Sequence, residues 1–370
     1  MVLLKQKSQQ KGILTNYKKV MNIELLKDIC ERPGAPGYET PIRTLIEQEI
    51  QGLADEVRID NMGNLIAKVK GRASDAKRVL VAAHMDEISF MVTHIDDEGF
   101  IRFHVLGGFD PKTLTAQRVI IHSEKGDIVG VMGCKPIHLL SAEERAKPLA
   151  IKDYFIDTGM PKAEVEKHIA VGDPITRERE LIEMGDCVNS KSIDNRVSVF
   201  ILVETLKQLK KTKPAHDVYA VFTVQEEVGL RGATAAASGI DPDFTIALDT
   251  TIANDLPGFA AHEQVTKLGK GAAIKILDGS VLCDSRMIRF MKQIAAKNTI
   301  PYQMEILPAG GTDTGALQRF SKGGSIAGAI SIPTRYLHQV IEMANKNDIQ
   351  YCIDLLTACL VDLDKASWEF

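Results

Sequence analysis

The chain has 370 residues, of which 45% are apolar and 25% charged, and a formal net charge of −4. Such a length is enough for two domains, with a core that needs no stapling, and the composition is that of an ordinary globular chain. The mild acid excess, without any long basic cluster, excludes nucleic acid as the default partner. Six scattered cysteines form no CxxC pair, read as reduced thiols, and argue against a thiolate-built zinc site. No stretch approaches the roughly 20 apolar residues of a membrane-spanning helix.

Residues 1–20 are basic and polar, lack the continuous apolar core of a signal peptide, and read as a disordered leader; the cytoplasm is the expected location. Helical spacing covers 22–31 and stops at "RPGAPG". A second helix is predicted over 40–53, with Thr40 as N-cap and Pro41 at the first helical position. "RIDNMGNLIAKVKG" reads as a hairpin turning at Asn61-Met62-Gly63. "RVLVAAHMDE" follows as a short, fully apolar strand of the kind buried on both faces of a parallel sheet.

Between about 90 and 178 the texture changes to short alternating strands punctuated by Asp-Glu-Gly, Lys-Gly-Asp and Gly-Asp-Pro turns, with one polar helix over 140–152. This block reads as a small β domain inserted into a host made of 21–89 and 179–370. In the second host segment we expect a helix over 195–211, a strand over 217–225, a helix over 230–238, strands over 243–249 and 271–277, a helix over 284–297, a buried strand in "GGSIAGAISIP" and a closing helix over 345–365. Alternating strands and helices with short links argue for an α/β fold with an open, mostly parallel sheet covered by helices.

In open α/β sheets, sites gather at the carboxyl ends of the strands, so the residues ending the apolar strands carry the functional reading. "VLVAA" ends at His84, "VYAVFTVQ" at Glu226 and Glu227, and "FTIAL" at Asp249. "SIAGAISIP" leads into "TRYLHQVIE", which presents His338, and Asp194 in "SIDNR" sits where a loop enters a helix. Taken singly, each has a plainer reading: a hydrogen-bonded structural histidine, a solvated Glu-Glu turn, a capping aspartate. The other seven histidines are read in that structural way. Four strands ending together in ligand types point instead to a divalent-metal site, and nitrogen and oxygen donors without thiolate suit zinc, cobalt or manganese better than calcium. Five candidate ligands exceed what one four-coordinate catalytic metal needs and suit two metals sharing a carboxylate, roughly 3.5–4 Å apart. One glutamate of the pair could then ligate while its neighbour takes a proton from water. Adjacent side chains of a regular strand face opposite ways, so the pair must lie at or just past the strand end, where Val228-Gly229 turns the chain.

The motifs "AAHMDEI", "GGFDP", "SIDNR", "QEEVGLRGA", "ALDTTIANDLPG", "LGKGAAI", "GGTDTGA" and "RYLH..IE" occur in that order. From about Met21 to the C-terminus the sequence resembles the M42 family of metallo-aminopeptidases, which includes the tetrahedral archaeal aminopeptidases and bacterial glutamyl and deblocking aminopeptidases. The resemblance implies a di-zinc peptidase type of fold, two divalent metal ions per subunit, and removal of N-terminal residues from short peptides by metal-activated water. It implies that His84 and Asp249 serve one metal, Glu227 and His338 the other, and that Asp194 bridges them. Glu226 would be the general base and acid, and Asp86 would orient His84 through its other ring nitrogen. Thr312 and Asp313 would line the substrate pocket. The β block is similar to the family's PDZ-like dimerisation domain, whose dimers assemble into a hollow dodecamer. The sequence departs from the family at Ser198, where glycine is frequent, and at Gln339-Val340, where Ser-Pro commonly follows the histidine, so substrate preference is not carried over. Alternative readings are a related metal-dependent amidase or deacylase, some family members having been labelled endoglucanases, and a catalytically inactive peptide-binding module.

Overall fold

The structure is a computed structural model that describes residues 21–369; the leader expected over 1–20 lies outside the described residues. The chain opens with α1 (Ile23–Glu31) and α2 (Thr40–Glu49). Pro41 occupies the first turn of α2 as expected, but Glu39 is the N-cap, one residue earlier than Thr40. A hairpin of β1 (Glu56–Ile59) and β2 (Leu65–Val69) precedes β3 (Arg78–His84). The turn is held by Asp60, whose Oδ1 accepts from the amides of Met62, Gly63 and Asn64. The next segment contains β4 (Ser89–Ile95), β5 (Ile101–Leu106), β6 (Arg118–Ser123), β7 (Gly126–Gly133), α3 (Ala142–Ala146), β8 (Phe155–Asp157), α4 (Lys162–His168) and β9 (Pro174–Arg177). Its six strands close into a barrel in the order β4-β5-β8-β7-β6-β9, around a core of its own that includes Phe90, Val119, Ile121, Tyr154 and Ile175.

The remainder comprises β10 (Ile182–Met184), β11 (Cys187–Ser190), α5 (Ile193–Leu209), β12 (Asp217–Thr223), α6 (Arg231–Ile240), β13 (Phe244–Ile252), β14 (Ala272–Leu277), α7 (Ser285–Lys297), β15 (Tyr302–Ile306), α8 (Asp313–Phe320), β16 (Ile326–Arg335), β17 (Glu342–Asn345) and α9 (Lys346–Asp362). Among the described residues these build one eleven-stranded sheet with β1–β3, along the path β1-β2-β12-β3-β13-β16-β17-β11-β10, with β14 beside β16 and β15 beside β14.

The sheet is mixed, which corrects the expectation of a mostly parallel one. Only the central strands β12, β3, β13 and β16 run parallel to one another, and β14 pairs with β15 in the same sense. Both flanks are antiparallel: β1-β2-β12 on one side, and β16-β17-β11-β10 on the other. A parallel neighbour needs a long crossover, whereas a short link can only reverse the chain. The tight connections β1 to β2 and β10 to β11 therefore cannot be parallel.

Period-two alternation explains why the central strands read as continuous apolar runs. Val79, Val81 and Ala83 of β3 face the side covered by α1, α2, α5, α7 and α9, while Leu80 and Ala82 face α6 and α8. Both faces are covered, so no polar alternation survives. Helix α5 is the most enclosed, its residues from Val197 to Leu206 all buried against the sheet.

One glycine fixes the join between β12 and α6. At Gly232 an added Cβ would be driven into the Val224 carbonyl and the Asn64 side chain, whereas at Gly239, on the same helix, it would meet nothing within 4 Å. We expect Gly232→Ala to cost about 1–3 kcal/mol of stability by overpacking, and Gly239→Ala to gain about 0.4–1 kcal/mol by restricting the unfolded chain. Chemical denaturation of the two variants checks this; equal midpoints would contradict it.

Candidate active site

Five elements bring residues to one rim. His84 closes β3, and β12 stops at Thr223. The chain then turns: Gln225 and Leu230 take left-handed φ values of 54° and 55°, and Gly229 one of 121°. The amides of Gly229 and Leu230 both return to the Glu226 carbonyl, at 2.9 Å each. Glu226 and Glu227 thus lie beyond the strand, free of the alternation that would part them. Asp249 lies within β13, three residues from its end. Asp194 stands in a non-helical first turn of α5, after left-handed Ser192. Next to it, Asn195 Nδ2 donates to the Leu248 carbonyl at 2.9 Å, tying α5 to β13 beside Asp249. His338 lies between β16 and β17 with φ of 62°.

Two carboxylates hold the backbone of this arrangement. Asp86 accepts from the amide of Glu226 through Oδ1 and from that of Glu227 through Oδ2, both at 3.0 Å. It also meets His84 Nδ1, by its main-chain carbonyl at 3.2 Å and by Oδ1 at 3.4 Å. Glu342, the first residue of β17, does the same on the opposite side: it accepts from the amides of Asp194 and His338, both at 2.9 Å. Sequence reasoning did not single out Glu342. Its spacing of four residues from His338 in "HQVIE" is the only trace, because a carboxylate that binds backbone leaves no compositional pattern.

The side chains converge on two imidazole nitrogens. His84 Nε2 lies 3.5 Å from Asp194 Oδ1, 3.7 Å from Glu226 Oε2 and 3.8 Å from Asp249 Oδ1. His338 Nε2 lies 3.4 Å from Asp194 Oδ2 and 3.8 Å from Glu227 Oε2. Among the described residues, three groups offer one ligand atom per residue within 4.8 Å of one another: His84, Asp194 and Asp249; Asp194, Glu227 and His338; and His84, Glu226 and Glu227. Asp194 Oδ1 and Glu227 Oε1 are buried and hydrogen-bond nothing. A desolvated carboxylate oxygen without a donor is costly, and a divalent cation is the partner that this imidazole and carboxylate set would satisfy. The residues present therefore fit such cations.

The electrostatics express the same crowding. Burial and neighbouring acids push Glu226 and Asp249 well above the usual carboxylate range, and Glu227 up to about 7. Burial opposes the charged form of His84, but Glu226, Asp194 and Asp86 outweigh it and raise its pKa well above the ordinary value. In His338 burial likewise opposes, and Asp194 and Glu227 prevail, lifting it to about 10. Asp194 is pulled down: burial would raise it, but the two imidazoles beside it, at 3.4 and 3.5 Å, outweigh burial. Burial and the nearby Asp194 push Glu342 up to about 8.

A cavity of about 810 Å³ opens over the cluster, and Thr312 forms part of its wall. Asp313 is 2% exposed; its Oδ2 accepts from the Thr223 hydroxyl at 2.6 Å, and burial lifts it to about 6. Lys275 and Asp278 complete the wall, and neither stands in a motif that drew attention in the sequence.

A mixed α/β body that gathers two histidines and several carboxylates at one rim offers the donor set that a divalent cation would take. Residues 63–355 match the family model described as M42 glutamyl aminopeptidase. The chain is 41% identical to a putative aminopeptidase of Acetivibrio thermocellus, over 91% of this chain and 98% of that one. An aminopeptidase from the archaeon Desulfurococcus kamchatkensis superposes with a TM-score of 0.88 at 38% identity, covering 92% of this chain and 94% of the other. The TET1 peptidase of Pyrococcus horikoshii gives 0.83 at 34% identity, covering 92% and 99%. The chain belongs to the M42 peptidase family and is an aminopeptidase, a hydrolase that cleaves peptides from the N-terminus.

The imidazole shifts carry a sign for the metal-free protein. His338, raised from 6.5 to about 10, contributes stability that is complete below 6.5 and lost as pH rises through about 10. Glu227, raised from 4.5 to about 7, also loses stability as pH rises across that interval. The His338 side chain is 40% exposed, so solvent moderates its part. Ligand imidazoles must be deprotonated, so metal affinity rises over the same range. We expect chelated protein to lose stability from about pH 5 to 10, and metal to restore more of it at high pH than at low; thermal melts with and without metal across pH check this.

Proposed function

We propose that the rim is a two-cation aminopeptidase centre. His84 and Asp249 would hold one ion, Glu227 and His338 the other, and Asp194 both. The single observation that carries this reading is that Asp194 aims one oxygen at each imidazole, at 3.5 and 3.4 Å. Zinc, cobalt and manganese suit the donor set, which has no thiolate. When bound, the ions would supply Lewis acidity to the scissile carbonyl and lower the pKa of the nucleophilic water towards about 7.

The remaining steps belong to the chain. The acid-rich rim receives the free N-terminal amine of the peptide. Glu226, left outside the two ligand sets, takes a proton from the attacking water and returns it to the departing amine. In the metal-free protein, burial and the neighbouring acids raise its pKa, the direction that proton uptake from water needs. Asp86 fixes the backbone on which Glu226 and Glu227 diverge, and Glu342 fixes that of Asp194 and His338. A glycosidase would need two metal-free carboxylates flanking the bond; here the acids crowd the imidazoles instead. Thr312 belongs to the substrate wall, whereas Asp313 is not among the lining residues and its Oδ2 accepts from Thr223.

Residues 90–178 act in this reading as an inserted PDZ-like dimerisation domain between catalytic segments 21–89 and 179–370. Support comes from apolar side chains left exposed on the barrel and its following turn: Val129 at 58%, Val131 at 49%, Ile137 at 63% and Leu139 at 69%. The similar TET1 peptidase assembles into a tetrahedron or a large octahedral shell, and assembly of this chain into dimers and a closed dodecamer follows by that likeness. Cytoplasmic residence fits its six free cysteines; no helix among the described residues is long and apolar enough to cross a membrane.

Glu226→Gln should keep metal and lose about 10²–10⁴-fold in turnover. Glu227→Gln should lose metal first, with activity partly rescued by excess metal. Metal stoichiometry and turnover across a metal titration separate the two, and Glu226→Gln losing metal while Glu227→Gln keeps it would reverse the assignment. Light scattering should find a particle far larger than the 40.6 kDa chain, reduced by Val131→Lys together with Leu139→Lys; an active monomer would refute the assembly.

A further inference from the structure

The wall of the cavity shows what kind of N-terminal residue it takes. Away from the imidazoles and acids of the rim, it is lined by Phe109, Leu230, Ile252, Leu307, Ala309 and Leu337. Selection for an acidic residue would need a cation facing the cavity, and selection for a basic one an anion. The wall holds one buried example of each, and they are tied to each other.

Lys275 is 1% exposed, and its Nζ lies 2.7 Å from Glu305 Oε1 and 3.2 Å from Asp278 Oδ2. Asp278 Oδ1 accepts from Ser280 N at 2.7 Å, Ser280 Oγ at 2.8 Å and Val281 N at 3.1 Å, and Oδ2 accepts from Thr312 Oγ1 at 2.9 Å. Glu305 also accepts from Thr251 Oγ1, at 2.8 Å. The charge of Lys275 is already set against two buried carboxylates, so a substrate carboxylate beside it would meet a group of net negative charge, and drawing Lys275 away would leave buried charge uncompensated. Asp278 has no oxygen left to offer an ammonium. The group as a whole sets one ammonium against two carboxylates, so its net negative charge repels an acid, while its engaged oxygens leave little direct hold on a base. Asp110, the other acid in the lining outside the imidazole–carboxylate rim, is exposed, where a charge pair is worth little.

We propose that this enzyme is selective for bulky apolar N-terminal residues such as leucine, methionine and phenylalanine, which pack against Ile252 and Leu307, and that the sealed Lys275–Asp278–Glu305 group withholds the charges that glutamyl or lysyl selection needs. The proposal rests on the aminopeptidase reading of the same cavity. Apolar contact of one or two methylenes is worth about 10–200-fold in discrimination, and burying an unpaired charge adds to that.

The test is kcat/KM of the metal-loaded, full-length protein on leucyl, methionyl, phenylalanyl, lysyl and glutamyl nitroanilides, repeated with Ile252→Lys. Ile252 is 40% exposed, so this change does not bury a charge in the core. The expected order is apolar first, lysyl about 10-fold lower and glutamyl about 100-fold lower. Ile252→Lys should raise the glutamyl-to-leucyl ratio about 10-fold or more. A glutamyl or lysyl preference in the unmodified enzyme, or a ratio unmoved by Ile252→Lys, overturns the proposal. Cleavage of none of the five would instead defeat the aminopeptidase reading beneath it.

Discussion

Two imidazoles face five carboxylates across a space a few ångströms wide: His84 meets Asp86, Asp194, Glu226 and Asp249, and His338 meets Asp194 and Glu227. That surplus of buried negative charge is the constraint on which the surroundings depend. Desolvated carboxylates repel one another and either take up protons or acquire cations. Without metal, protons answer part of the demand, which is why Glu226, Glu227 and Asp249 are all raised. Beneath the rim a second charged layer helps hold the loop after β3. Glu87 is buried against Lys191 at 2.7 Å and lies 3.6 Å from Arg196.

The fold answers the problem of holding like charges together by spreading them over separate rigid elements. β3, the turn after β12, β13, the start of α5 and the β16–β17 link each contribute one or two groups, so no single segment must accept two repelling side chains on one face. The glutamate pair is the exception, and there the backbone is clamped from outside by Asp86. Glu342 repeats the device for Asp194 and His338. Two acceptors, each binding two backbone amides, thereby set four of the side chains that face the cavity.

Much of this was legible because covered parallel strands leave a simple signature: a short apolar run ending abruptly in a polar residue. β3, β12, β13 and β16 all carry it, and residues at or near their ends converge, although β13 runs three residues past Asp249. The antiparallel flanks were not legible. β10, β11 and β17 have only three or four residues each, too few to show a period, and their pairing is set by short links rather than by composition. α8 was missed because "GGTDTGA" has the glycines of a loop, although Thr312 serves as its N-cap. The bonds of Asp86 to the glutamate amides, of Glu342 to the Asp194 amide and of Lys275 to Glu305 join residues far apart in the chain, which no local pattern encodes.

The central claim is that Asp194 stands between two cations. Anomalous diffraction from crystals of the protein loaded with zinc, recorded on both sides of the zinc absorption edge, addresses it without reference to turnover. The account predicts two peaks per subunit, one touching His84 and Asp249, the other His338 and Glu227, with one Asp194 oxygen directed at each and Glu226 bound to neither. A single peak, or two peaks of which one leaves Asp194 uncoordinated, would contradict it.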